Sequence, residues 1–239
     1  MTWSIVAREE KTGAFAVAVT TCAFAVGARC PGGMGRIGAL SSQALSNPIY
    51  QIDGVRLLME GATAAEIVTS LTTADPGRDS RQFHVIDRNG MTAQWTGAEC
   101  VPWCGSVTAD GVSVAGNMLT GPNVVEATLA AYLSGKKLPL EERLLNALDA
   151  GQAAGGDKRG KQSAALIVWR DRPYAAFDIR VDDHPEPLVE LRRLHGVANQ
   201  RYTAFQTALP TRGNPRGTTD RGELEAIINA HIAQQAMKK

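Results

Sequence analysis

The sequence predicts an α+β fold with antiparallel sheets, built as a four-layer αββα sandwich. Three observations carry that reading. Strand-like segments follow one another as hairpins, without the helical crossovers that parallel strands need. Some strands are made of small apolar residues on both faces, which marks them as covered on both sides. Helical segments come in pairs between the strand groups, as expected of helices laid outside stacked sheets.

The elements are legible in order. Residues 2–8 (TWSIVAR) are rich in strand formers, and a polar turn ending at Gly13 returns the chain into residues 14–21 (AFAVAVTT). Residues 31–35 read as a glycine-rich loop. Residues 36–43 (RIGALSSQ) are a third strand that stops near Asn47-Pro48, because Pro48 lacks the donor a ladder needs and disfavours continuation. Residues 54–60 and 63–72 have helical spacing. Thr63 and Glu66 are placed as a capping box, and Asp75-Pro76-Gly77 is a stop. Residues 81–87 (RQFHVID) and 91–96 (MTAQWT) flank Asn89-Gly90, the clearest hairpin in the chain. A strand is predicted over 112–117, amphipathic helices over 123–133 and 138–150, and a second strand pair over 162–169 and 174–181. A helix over 187–195, a polar stretch over 197–221 and a closing helix over 222–237 complete the pattern. The reading is one domain over 1–196 with a C-terminal extension over 197–239.

Composition narrows the function. Of 239 residues, 25 are Lys or Arg and 24 are Asp or Glu, a net charge of +1, so no long-range field draws the chain to nucleic acid or an anionic membrane. The longest apolar stretch, 14–28, is interrupted by Thr20 and Thr21 and falls short of the roughly 20 residues of a membrane helix. Glu9 and Glu10 precede it where a signal peptide would be basic, and the expected compartment is the cytoplasm. The four cysteines, Cys22, Cys30, Cys100 and Cys104, are too few for a disulfide scaffold; a four-thiolate zinc site is open to them, though the spacing of Cys22 and Cys30 is not a usual metal knuckle.

The common catalytic signatures are missing: there is no G-x-S-x-G elbow, phosphate-binding glycine loop, dinucleotide fingerprint or H-E-x-x-H. Three segments are more polar than packing requires. The first is the start, where Thr2 follows the initiator methionine. Removal of Met1 would leave an α-amine, with a pKa near 8, beside the hydroxyl whose proton it takes. The alternative is that Thr2 is an early strand residue. The second is 153–165 (AAGGDKRGKQSAA), where Arg159 can clamp a carboxylate and the small residues Ser163 and Ala164 leave room for a ligand; a solvated turn is the alternative. The third is 180–187 (RVDDHPEP), where Asp182, Asp183 and His184 can bind metal or orient a base, or where an Asp simply caps the next helix. Gly116-Asn117, at a strand end, can offer an amide and backbone donors to an oxyanion. His84 and His195 read as structural.

Taken together, T-W-S-I-V-A at Thr2, G-A-L-S-S-Q-A at Gly38, N-P-x-Y at Asn47, D-P-G-R at Asp75, R-Q at Arg81, T-G at Thr96, G-N-M-L at Gly116, the run from Ala153 and R-V-D-D-H-P-x-P at Arg180 resemble the bacterial family catalogued as domain of unknown function 1028, from Thr2 to about Leu194. The resemblance implies an Ntn-hydrolase-like αββα fold and an amidohydrolase acting on a small amide or cyclic amide. Thr2 would be nucleophile and base, with Asn117, Gln43 and the Gly116 backbone on the oxyanion side and Asp157, Arg159 and Ser163 holding the substrate. No cofactor is expected. The chain departs from the family at Cys104-Gly105-Ser106, where members often carry Ala-Gly-His. Two other readings stand beside this one: a metal-assisted hydrolase using Asp182, Asp183 and His184, and a non-catalytic small-molecule binding or assembly protein. The apolar helix faces, with Tyr202, Phe205 and Leu209, lead us to expect a homo-oligomer.

Overall fold

The computed structural model describes residues 2–237. Its contacts divide the chain into two compact units, with the break after Leu191.

The first unit is α+β. β1 (Thr2–Arg8) and β2 (Phe15–Thr21) form the first hairpin. Its turn closes through Glu9 N donating to the Ala14 carbonyl at 2.8 Å, and Gly13 takes the positive φ of 70° that the return requires. β3 (Pro31–Met34) pairs with β4 (Gly38–Ala44), and β5 (Arg81–Asp87) with β6 (Thr92–Thr96). β7 (Gly105–Ala109) pairs with β8 (Val112–Asn117), and β9 (Ser163–Trp169) with β10 (Phe177–Val181). All ten pair antiparallel, in a six-stranded sheet of order β10-β9-β2-β1-β8-β7 and a four-stranded sheet of order β3-β4-β5-β6.

Strand alternation decides which residues meet. In β4 and β5, Leu40, Phe83 and Val85 face α1 (Pro48–Glu60) and α2 (Ala64–Ala74), where Tyr50 meets Phe83 edge-on at 5.4 Å between ring centroids. Each such fully buried side chain contributes about 1.5–3 kcal/mol relative to exposure. On the opposite face, Ala39 and Ile86 pack with Val6, Phe15, Val17, Ile167 and Trp169 of the larger sheet. α3 (Asn123–Ser134) lies against β8, β7 and β1, and α4 (Leu140–Ala153) against β2 and β9. The capping box at Thr63 and Glu66 is present, and Asp87 adds a second anchor there by accepting from Ala64 N at 3.0 Å.

Four elements differ from the sequence reading. Residues 31–34, read as loop, form the edge strand β3: an edge tolerates Pro31, and at Gly33 a side chain would come 2.9 Å from the Trp169 ring, so glycine is what lets the strand approach. β7 is a further edge strand, lacking the strong apolar alternation that would have marked it. α1 starts at Pro48 rather than at 54, because the proline that ends a strand also suits the first turn of a helix, and Asn47 caps it by accepting from Ile49 N at 3.0 Å. A short helix, α6 (Tyr202–Thr207), interrupts the predicted polar stretch.

α5 (Pro187–Ala198) carries the chain past the division after Leu191. In the second unit, α6 and α7 (Arg221–Ala236) are joined by Arg201 to Glu225 at 2.7 Å and by Thr203 Oγ1 to His231 Nε2 at 3.2 Å. No helix among the described residues is long and apolar enough to cross a membrane.

Candidate functional site

Four strands of the larger sheet end in one row. β9 starts at Ser163, opposite Thr21 at the end of β2; Thr21 neighbours Thr2 at the start of β1; and Thr2 stands opposite Asn117 at the end of β8. Residues in one row of a sheet project from the same face, so pairing alone collects three hydroxyls and an amide. Thr2 Oγ1 lies 3.2 Å from Thr21 Oγ1. Ser4, two residues along β1, shares that face and reaches His84 and Gln43 on the second sheet, so the row looks into the space between the sheets.

That space is polar where it nears Thr2. Gln82 is its organiser. Its Oε1 accepts from Gln43 Nε2 at 2.8 Å and from Asn117 Nδ2 at 3.0 Å, while its Nε2 donates to the Gly116 carbonyl at 2.8 Å and to Thr96 Oγ1 at 3.0 Å. Gln43 Nε2 also reaches the Ala115 carbonyl at 3.1 Å and the Thr2 carbonyl at 3.4 Å, and its Oε1 accepts from Ser4 at 2.7 Å. Gln43 is therefore fully buried with its polar atoms engaged by the chain, and it touches Thr2 through the main chain. Asn117 Nδ2 makes a similar long contact, 3.4 Å, to the Thr2 carbonyl.

Farther in, Ser4 Oγ lies 2.8 Å from His84 Nε2, and His84 Nδ1 lies 3.0 Å from Ser113 Oγ. The imidazole thus bridges two buried hydroxyls, one from β1 and one from β8. Burial pushes the His84 imidazole down to about 3 from its ordinary 6.5. The unfolded chain takes up a proton as pH falls through 6.5 and the folded chain does not, so stability present above that value is lost on acidification toward 3, by up to about 1.4 kcal/mol per pH unit. Urea unfolding at pH 7 and pH 4.5 checks this. The wild type should lose more stability between the two than His84→Gln does, and equal losses would refute it.

The rim beside the row is made of three loops held by one carboxylate. Asp157, whose side chain is wholly buried, accepts from Cys22 N at 2.9 Å, from Arg159 N at 2.9 Å and from the Arg159 guanidinium at 3.2 Å. Leu119 bridges to Asp157, and Thr120 N donates to the Gly156 carbonyl, which brings the segment after Asn117 to the same place. Arg159 stands 42% exposed at this rim with its charge matched by Asp157. Ser163 is sealed: its hydroxyl donates to the Ala23 carbonyl at 2.6 Å and accepts from Val26 N at 3.1 Å, holding the loop after β2. The structure thus gathers Thr2, Asn117, Gln43, Asp157, Arg159 and Ser163 at one end of the sheets. Sequence reasoning passed over Gln82 and Thr21; the polar residue at an inward strand position was the signal for Gln82.

The metal alternative is corrected by the same geometry. Asp182 pairs with Arg180 at 3.5 Å, Asp183 accepts from Gln162 Nε2 at 3.1 Å, and His184 Nδ1 accepts from Glu186 N at 2.9 Å, so the three side chains serve separate partners. Among the described residues no three His, Cys, Asp or Glu side chains are placed to hold a metal ion. The four thiols do not converge: Cys30 is buried with Val19, Val26 and Ala165, and burial pushes it up to about 12, while Cys104 donates to the Cys100 carbonyl at 3.4 Å and Cys100 to the Arg81 carbonyl at 3.3 Å.

Fold and site together define an α+β protein of two antiparallel sheets with a buried polar network running to the threonine that starts a central strand. The model of a family of unknown function, DUF1028, matches residues 2–191. A crystal structure of a Silicibacter pomeroyi protein of the same family superposes with a TM-score of 0.84 at 31% identity, covering 92% of this chain and 99% of that one. This chain belongs to the DUF1028 family. An ancestral β-subunit (Anbu) from Yersinia bercovieri also matches, with a TM-score of 0.40, 11% identity, and coverage of 82% of this chain and 94% of that one. No curated protein matches.

Proposed function

We propose that this chain hydrolyses a C–N bond in a small amide or cyclic amide, with Thr2 as an N-terminal nucleophile, on a four-layer αββα sandwich of the Ntn-hydrolase type. The observation that carries the reading is the position of Thr2: first residue of a central strand, its hydroxyl in a polar row, its carbonyl held by two amides from different strands. Removal of Met1, which lies outside the described residues, frees the α-amine. The amine takes the Thr2 hydroxyl proton as Oγ1 attacks the carbonyl carbon. The tetrahedral intermediate collapses by breaking the C–N bond, the leaving amine departs with that proton, and water then hydrolyses the ester.

Asn117 supplies the oxyanion side, its long 3.4 Å contact to the Thr2 carbonyl being weak enough to exchange for a charged acceptor. Gln43 and Gln82 are positioning residues for the Thr2 main chain. Arg159, oriented by Asp157, faces the substrate, and Ser163 fixes the loop after β2 beside it. The enzyme works without a cofactor, in the cytoplasm, as a homo-oligomer.

Mass spectrometry of an active preparation tests the mechanism. The expected result is a chain starting at Thr2, and an intact Met1 in fully active protein overturns it. One observation favours a second reading, a non-catalytic binding or assembly protein: the amides of Gln43 and Asn117 are already spent within the chain. Ligand-induced thermal stabilisation without turnover would support that reading.

A further inference from the structure

β1 runs away from Thr2 for about 20 Å and ends at Arg8, beside a cleft of about 330 Å³. This cleft lies between the β1–β2 turn, the β7–β8 turn and the junction of α3 with α4. Its half-buried lining includes Arg8, Glu9 and Arg143 beside Ala109 and Leu133, and Tyr132 is buried. Arg143 is fixed in place: Nε donates to the Tyr132 carbonyl and the guanidinium lies 3.5 Å over the Tyr132 ring. Among the described residues neither Arg8 nor Arg143 is in an ion pair, and the Arg143 terminal nitrogens have no hydrogen bond.

The Tyr132 hydroxyl is a second, independent observation. It is buried with no hydrogen-bond partner, which a folded chain rarely tolerates unless something outside the chain supplies one. Burial raises the phenol to about 12, so it remains a donor at neutral pH. Glu9 is the opposing charge in this inner part, and its carboxylate already accepts from Thr12. The exposed lining residues Lys11 and Lys136 are matched in number by Glu10 and Asp110, so their charges balance. Two guanidinium groups, that of Arg143 held rigidly, and one orphaned phenol against a single carboxylate leave the interior short of an acceptor with negative charge.

The geometry points to an anion-binding site in this cleft, for the carboxylate or phosphate group of a small molecule, held by Arg143, Arg8 and the Tyr132 hydroxyl. It stands apart from Thr2 and does not depend on the proposed hydrolysis. Calorimetric titration of the full chain at low salt with succinate and with inorganic phosphate tests it, and comparison of the two arms shows which oxyanion is preferred. A saturable isotherm for at least one is expected, weakening as sodium chloride is raised. Tyr132→Phe should lower that affinity about fivefold to tenfold while melting no lower than the wild type, since it removes only an unpartnered group. Arg143→Gln should lower it further. Absence of saturable binding to both probes, or affinity unchanged in Tyr132→Phe, overturns the site. The phenylalanine variant keeps the test decisive should Arg143→Gln fail to fold.

Discussion

If the proposed Thr2 mechanism holds, Thr2→Ala is expected to lower turnover by about 10⁴-fold or more, while Thr2→Ser is expected to keep it within roughly tenfold of the wild type. The asymmetry follows from what each change removes. Alanine keeps the α-amine and the strand position but deletes the atom that attacks, whereas serine restores an oxygen at the same place and loses only a methyl group. The cost to folding is small in both, because Thr2 is the first residue of β1 and its hydroxyl pair with Thr21 is worth about 1 kcal/mol. Two measurements decide. Amine release is followed over a panel of linear and cyclic amides, and a carbonyl electrophile such as a β-lactone is used to acylate the protein before peptide mass mapping. The label is expected on the N-terminal peptide of the wild type and serine forms and absent from the alanine form. Equal turnover in all three, or labelling confined to another peptide, sinks the assignment.

Gln82→Leu is the change expected to cost the fold most. The two side chains are close in size, so little cavity forms, and the loss is of hydrogen bonding. Gln43 Nε2 and Asn117 Nδ2 lose their shared acceptor, and Thr96 Oγ1 and the Gly116 carbonyl lose their donor. All of this happens between two sheets, where Gln82 and Gln43 are wholly buried. At about 1–3 kcal/mol per stranded buried group, with partial rearrangement, the expected loss is about 4 kcal/mol. For a chain of this length that is roughly a 10 °C fall in melting temperature. Thermal and urea unfolding check it, and a loss under about 1 kcal/mol would show that the network is slack. Because Gln82 fixes the two amides that hold the Thr2 carbonyl, the same variant should also lose turnover on the Thr2 mechanism.

Local chemistry made most elements readable. The Asn89-Gly90 turn, the Thr63 and Glu66 cap and the small-residue run of β2 each write their conformation into a few adjacent residues. β3 and β7 escaped because edge strands pair on one side only, and so need neither β-branched runs nor alternation. The site was half legible. Thr2, Asn117 and Asp157 stood out as polar residues at element ends, while Gln82 sits inside RQFHVID, where a strand reading treats it as one more alternating position.

The sequence by itself determined the α+β class, the antiparallel hairpins and the family, because hydrophobic periodicity, turn residues and short ordered motifs are local properties. Only the tertiary structure decided that Ser163, Thr21, Thr2 and Asn117 form a single row, that Gln82 joins two sheets, and that Asp182, Asp183 and His184 part company. Those outcomes depend on strand register and on which face meets which, and both are set by residues far apart in the chain that pack together only when the whole core closes.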